Sequence, residues 1–256
     1  GMVVHPAYGH RSGTLVNALL YHVGAGPISA DDLDDDEAED DDEVGLSTAT
    51  AAPRFEGDVT IRPGLVHRLD KGTTGLLVVA KDDVTHAALA AQFMNRTIRR
   101  RYLALVWGAP DPPEGRIETW LGRDSRDRRR MAVVREDQGK WAATNYETVE
   151  ALRHTALVRF RLETGRTHQI RVHARHLGHP ILGDPTYDGD FIRAGPELGS
   201  RKAFFRNLFA RMPRQALHAH TLGFRHPATG EDLDFEQPLP EDMAFVLNRL
   251  REVEGD

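Results

Sequence analysis

Four polar stretches hold most of the residues that could do chemistry. His67-Arg68-Leu69-Asp70-Lys71-Gly72-Thr73-Thr74-Gly75 sets a carboxylate among cations, next to glycines. Nearby positive charge would keep Asp70 ionised, and glycine lets the backbone approach a partner, so the stretch reads as a ligand site. A solvated turn with a local aspartate cap is the plain alternative. Arg99-Arg100-Arg101-Tyr102 joins three cations to an aromatic ring, the composition of a surface that pairs phosphates and stacks bases. An amphipathic strand with a tyrosine at the core's edge would look the same. Arg123-Asp124-Ser125-Arg126-Asp127-Arg128-Arg129-Arg130 lies in a region, 96–140, with twelve basic and seven acidic residues, an electrostatic footprint for nucleic acid or a solvated loop. In Glu163 to Pro180, His168, Arg171 and Arg175 would share one face of a helix. Its four histidines raise the question of a metal. No histidine pair has a carboxylate at ligand spacing, and the arginines would repel a cation, so no metal is expected.

Composition narrows the classes. The chain has 256 residues, 40% apolar and 28% charged, enough for one large domain or two small ones. It has no eighteen-residue apolar run and no basic-then-apolar leader, so neither a membrane span nor a signal peptide is expected. Cysteine is absent, which excludes disulfides, thiolate metal sites and a cysteine nucleophile. Gly9-His10-Arg11-Ser12-Gly13-Thr14 lacks the lysine and length of a phosphate loop, and no dinucleotide fingerprint or Gly-x-Ser-x-Gly is present. The net charge of −6 hides a division. Residues 31–43 hold eleven acids in thirteen positions, and setting those eleven aside turns −6 into +5. Only four of the 33 cations are lysine; arginine's planar fork suits phosphate, although genomic codon bias would also produce the excess. Asp32, Asp34, Asp36 and Glu43 fit a calcium-loop spacing, but Glu37 stands at the glycine position, and so acidic a run matches by composition alone.

The elements that must position these residues follow from periodicity. Leu15, Leu19 and Leu20 predict a helix over 12–23, capped by Ser12 or Thr14. From about Gly26 to Thr60 the pattern dissolves, and 28–60 reads as an acidic, disordered insertion. Gly75 to Ala80 predicts a buried strand. Asp82 and Asp83 then cap a helix with Val84, Ala87, Ala88 and Ala91 on one face. Strands are expected at 100–108, 131–134, 142–150, 155–163, 216–224 and 232–236. Helices are expected at 167–177 and after Pro240, the latter through Phe245, Val246 and Leu250. Strands dominate and helices are scattered, which predicts α+β with a mostly antiparallel or mixed sheet.

Taken together, these segments resemble the RluA family of RNA pseudouridine synthases, particularly its D-type members, which act on the large ribosomal RNA. The resemblance rests on His67-Arg68-Leu69-Asp70 through Thr73-Thr74-Gly75, on Arg101 to Gly108, and on Thr164-Gly165-Arg166-Thr167-His168-Gln169-Ile170-Arg171-Val172-His173 with Gly183-Asp184-Pro185-Thr186-Tyr187. Leu217-His218-Ala219, Phe224-Arg225-His226-Pro227 and Val4-His5-Pro6 extend it over nearly all the chain outside 28–60. It implies one catalytic domain over 1–256 with a central sheet flanked by helices and loops, and without the first strand and the N-terminal S4 domain of many members. It also implies an isomerase that detaches uracil from its ribose, rotates it and rejoins it through C5. Asp70 would be the nucleophile or base, Arg171 its ion-pair partner, and Tyr102 a base-stacking ring that helps take the C5 proton. His67, Arg68, Thr74 and Leu217 would bind substrate, with Leu217 beneath the base and Arg68 or His67 filling the vacated stack or holding the flipped phosphate. The expected partner is RNA, ribosomal RNA above all, with no cofactor, no metal and no membrane, in a cytoplasmic monomer. A non-catalytic RNA-binding or ribosome-assembly protein is the main alternative. A uridine methyltransferase would need a cysteine and a methyl-donor site that the sequence lacks.

Overall fold

In a computed structural model of the chain, residues 2–4, 12–22, 64–192 and 198–255 are described. The expected insertion at 28–60 and its acidic run lie outside the described residues. The chain divides into two units. The first comprises Gly1–Gly72, Leu77–Ile98 and Gly223–Leu233; the second comprises Thr73–Leu76, Arg99–Leu222 and Asp234–Asp256.

In the first unit α1 is Leu15–His22. Thr14 is its cap: its Oγ1 accepts the Asn17 N–H (3.3 Å), and Asn17 Oδ1 accepts the Thr14 N–H (2.9 Å), a reciprocal box. Val16 packs with Val4 and Leu65, and Leu15, Leu19, Leu77 and Val79 lie against them. The expected buried strand over 75–80 is two short pieces instead. Between β2 (Thr74–Gly75) and β3 (Val79–Ala80), Leu76, Leu77 and Val78 are only half-buried and pair in no strand. β3 pairs antiparallel with β1 (Gly64–Leu65). α2 is Asp83–Met94, and Asp82 caps it by accepting the Thr85 N–H at 2.7 Å, which holds the Asp82 carboxyl below its usual range. Its buried face is Leu89, Ala90 and Phe93, not the expected one: Val84, Ala87 and Ala91 are exposed. The larger Leu and Phe side chains gain more from burial than an alanine stripe, and they set the rotation.

The second unit holds most of a mixed sheet. Its strands are β4 (Arg99–Trp107), β5 (Glu114–Arg123), β6 (Met131–Val134), β7 (Lys140–Ala151), β8 (Thr155–Leu162), β9 (Leu217–Arg225) and β10 (Asp232–Glu236). Their order is β10-β9-β4-β8-β7-β5-β6, with β2 added parallel to β9; the outer end of the β9–β10 hairpin belongs to the first unit. This is the α+β, largely antiparallel arrangement expected. β4 is central, so after Arg101 both its faces are buried, and Ala104, Leu105 and Val106 are fully enclosed. β5 was not foreseen. Nor was α4 (Leu198–Arg211), whose Phe205 packs on Trp107 with centroids 4.5 Å apart. α3 is Gln169–His176; its Val172 joins Leu121, Met131, Ala142 and Tyr187 in one core cluster. α5 (Glu241–Glu254) buries Met243, Val246, Leu247 and Leu250 at helical spacing. Phe245 is exposed, with the Arg211 guanidinium 5.1 Å from its centroid. No helix among the described residues is long and apolar enough to cross a membrane.

Candidate active site

The seven residues singled out from the sequence divide between the units. His67, Arg68 and Asp70 belong to the first; Thr74, Tyr102, Arg171 and Leu217 belong to the second. In the first unit Arg68 is exposed and Asp70 half-buried. His67 is not a surface group. Its ring is 1% exposed, lies stacked on Phe93 at 4.9 Å, and accepts the Val78 N–H through Nε2 at 3.1 Å. A ring fixed in this way orients the start of the Asp70 segment.

In the second unit, the segment after Asp70 is fastened to β9. Thr74 and Gly75 pair in register with His218 and Ala219. Gly75 is required there: its φ is +112°, and a Cβ would lie 2.2 Å from the Ala219 carbonyl oxygen. The Thr74 hydroxyl is 2.9 Å from His218 Nδ1, while His218 Nε2 faces the Gln237 carbonyl at 3.0 Å. A carbonyl only accepts, so Nε2 carries the proton and Nδ1 accepts from Thr74. Burial keeps the His218 pKa low, which preserves that neutral tautomer. Gln215 Nε2 donates to Thr73 Oγ1 at 3.1 Å, bracketing the same turn. Thr74 therefore binds the protein's own frame, and Leu217, 3% exposed, opens the strand that receives it.

Arg171 is the best-defined group of the set. Its side chain is 6% exposed and its Nε and Nη2 donate to the two carboxylate oxygens of Asp184 at 2.7 and 2.9 Å; Asp184 is fully buried. The guanidinium also lies 4.9 Å from the Tyr187 ring centroid. Asp184 in turn accepts the Thr186 and Tyr187 N–H groups at 3.0 and 3.3 Å. The Tyr187 hydroxyl accepts the Met131 N–H (3.0 Å) and shares a hydrogen bond with His168 Nδ1 (2.8 Å). The loop that carries Asp184 is stitched to β4. Leu182 N–H donates to Leu105 O (2.8 Å), and Trp107 Nε1 donates to Gly189 O (2.8 Å). Gly189 allows this closure, since a Cβ there would lie 1.7 Å from Ile181 O.

Sequence reasoning missed Asp184 and Tyr187 as the partners of Arg171. Both belong to the quoted segment Gly183 to Tyr187, and a buried arginine needs a carboxylate from somewhere; that need was the available signal. The shared helix face of His168, Arg171 and Arg175 also needs correction. His168 is the N-cap, in the left-handed region at φ 56°, Arg171 points inward, and Arg175 lies half-exposed on Asp188 at 2.7 Å. Tyr102 sits on β4, 5% exposed, opposite Phe160 of β8.

Under α3 a second polar cluster supports the same helix. Gln169 donates to Ala143 O and Thr144 Oγ1, and accepts from Thr164 Oγ1 and Arg166 N–H. His173, fully buried, lies between the hydroxyls of Thr119 (2.9 Å) and Thr144 (2.8 Å). Desolvation pushes its pKa down to about 4. The basic stretch 123–130 is a turn between β5 and β6 that neutralises part of its own charge, through Arg129–Asp127 at 3.0 Å and Arg130–Asp124 at 3.5 Å.

Comparison with known proteins places this architecture. Residues 1–176 match the family described as RNA pseudouridylate synthase. The chain is 47% identical over 255 residues to an uncharacterized RNA pseudouridine synthase of Chlorobaculum parvum, spanning 99% of this chain and 70% of that protein. It is 45% identical over 250 residues to the ribosomal large subunit pseudouridine synthase D of Zymomonas mobilis, spanning 98% of this chain and 67% of that one. Across curated relatives it spans 60 to 70% of their length. Among solved structures it is similar to human RNA pseudouridylate synthase domain containing 4, with 30% identity and a TM-score of 0.61, covering 74% of this chain and 76% of the other. A mostly antiparallel sheet, a buried arginine clasped by the Gly-Asp-Pro-Thr-Tyr loop, and this breadth of identity lead to one conclusion: the chain belongs to the RNA pseudouridylate synthase family.

Proposed function

We propose that the protein isomerises uridine to pseudouridine in RNA, and that its substrate is large-subunit ribosomal RNA. The observation that carries the chemistry is the rigid, buried Arg171, held on one edge by Asp184 and on one face by Tyr187. Pure RNA binding has no use for a guanidinium withdrawn from solvent. A reaction that needs one carboxylate kept ionised in a dry pocket does, and the reading gives Arg171 that task toward Asp70. Asp70 acts as nucleophile or base in releasing uracil from its ribose. Tyr102 stacks on the freed base, and its hydroxyl helps take the C5 proton after the new carbon–carbon bond forms. The uridine leaves its stack first, and exposed Arg68 fills the gap or holds the phosphate. Large-subunit RNA is supported by the similarity to the ribosomal large subunit pseudouridine synthase D of Zymomonas mobilis. A monomer acting in the cytoplasm completes the proposal, in keeping with a sequence that contains no cysteine.

The test is pseudouridine mapping of large-subunit ribosomal RNA after incubation with the wild-type chain and with Asp70→Ala. Wild type should create pseudouridine at discrete positions. Asp70→Ala should lose on the order of a thousandfold or more in rate while RNA affinity stays within about twofold. RNA binding with no pseudouridine from wild type would favour the non-catalytic RNA-binding protein instead.

A further inference from the structure

Arg101 precedes Tyr102 on β4, so strand alternation sends its side chain to the face opposite Tyr102. Its register partner on β8 is Arg161, and Arg161 faces Asn145 of β7. Directly opposed residues of an antiparallel pair have adjacent side chains on one face, where like charges repel. Both arginines are exposed, and among the described residues neither forms a salt bridge. Three of the four carboxylates around them are committed elsewhere, and the fourth, Glu114, forms no ion pair with either arginine among the described residues. Arg159 holds Glu147 at 2.7 Å, and Arg116 holds Glu118 and, at 2.9 Å, Glu163. Glu163 lies in the field of Arg161 but is bonded to Arg116 and Asn145. These arginines, with Glu114 and Glu147, line a hollow of about 640 Å³.

Two guanidinium forks set side by side, with no carboxylate bonded to either, match the unesterified oxygens of a phosphodiester. We propose that Arg101 and Arg161 clamp backbone phosphate of the RNA, on the sheet face opposite Tyr102 and outside the contacts made to the reacting nucleotide. The clamp rests on the reading of the chain as an RNA-directed enzyme. It extends the RNA path around β4: one residue addresses the base, and its neighbour in sequence addresses the backbone. The repulsion between the two cations is then a cost in the free protein that bound RNA relieves.

The experiment measures binding of a fluorescein-labelled RNA hairpin with a uridine-rich loop, by anisotropy, across a salt series from ~50 to ~200 mM. Arg101→Gln/Arg161→Gln is compared with Arg249→Gln/Arg251→Gln, which removes the same charge from α5. The clamp variant should bind about tenfold more weakly at the low-salt end, and its slope of log affinity against log salt should fall by roughly 1.4 to 1.8, the signature of two lost phosphate contacts. Its melting temperature should hold or rise, since a like-charge pair is removed; a weak binder that melts lower overturns the clamp as an effect of misfolding. An affinity and slope no different from the control pair also overturn it. Inorganic phosphate supplies the second arm. If it stabilises wild type but not the clamp variant while RNA affinity is equal in both, the pair serves a free anion and the clamp is wrong. Because binding is read directly, loss of the clamp's effect is distinguishable from a wild-type chain that binds RNA and makes no pseudouridine, which would defeat the functional reading alone.

Discussion

At the scale of single residues, the Arg171–Asp184 pair joins stability to chemistry. Breaking a buried pair by removing one charge leaves the other uncompensated, so Asp184→Asn should cost about 3–5 kcal/mol in urea denaturation. A loss below ~1 kcal/mol would mean that the arginine does not depend on that carboxylate. Arg171→Lys keeps the charge but gives up the two-point hold, and pseudouridine formation should fall by roughly a hundredfold or more. Tyr102→Phe keeps the ring and removes the hydroxyl, so the base should still bind while the reaction slows late, by about 10²-fold. A normal rate would show that only the ring matters. His173 gives a pH prediction. Its folded pKa, about 4, lies below the unfolded value near 6.5, so the native state binds fewer protons. Its contribution is complete above pH ~6.5 and is lost as pH falls toward ~4, a change of about 3 kcal/mol. His173→Gln should flatten, without abolishing, the rise of unfolding free energy between those limits. Some slope must remain, because buried His218 shifts in the same direction.

At the scale of elements, the two-residue strand β2 combines a close approach with a left-handed backbone. Gly75→Ala must force a side chain into the left-handed region and into Ala219, and should cost more than about 2 kcal/mol. Gly178 has φ +88° with nothing within 4 Å of a Cβ, so Gly178→Ala should cost only about 1 kcal/mol. Equal losses in the two variants would show that the close approach at β9 carries no weight. Legibility from sequence follows the same division between local and tertiary causes. β4, β6 and β10 were readable because alternation or a short β-branched run was uninterrupted. β5 was hidden by Gly115 and Gly122 and by its charge, although Ile117, Thr119 and Leu121 alternate inward. Gly122 is there because a Cβ would lie 2.4 Å from Gln138 O, a constraint set by a neighbour and not by the strand itself. α4 was lost because adjacent Phe204 and Phe205 blur its stripe; Phe205, Leu208 and Met212 mark the buried side. At the site, Asp70, Tyr102 and Arg171 were named from motif resemblance. Which carboxylate meets Arg171 was not legible, because that is decided by a loop closing thirteen residues away.

At the scale of the whole molecule, charge is the organising quantity. Eleven acids in residues 31–43 oppose a remainder of net +5 in a protein whose partner is a polyanion. An acidic run of this density in the same chain is expected to compete with non-specific RNA at high effective concentration. Deleting residues 28–58 should therefore tighten binding to random-sequence RNA at low salt, and the gain should shrink as salt rises. An unchanged low-salt affinity would reduce the run to a tolerated insertion. The parallel pairing of β2 with β9 bears on how the protein comes into being. Thr74 and His218 are 144 residues apart in the chain. At a synthesis rate of about 5–20 residues per second, the segment that follows Asp70 waits roughly seven to thirty seconds on the ribosome before its anchoring strand has been made. A chain that stops between residues 172 and 216 carries Asp70, Tyr102 and Arg171 yet lacks the strand that fastens Thr74 and Gly75. The turn after Asp70 therefore cannot be fastened until β9 has been made, and a chain that stops before β9 is expected to form no pseudouridine, which assay of a chain ending at residue 216 would check.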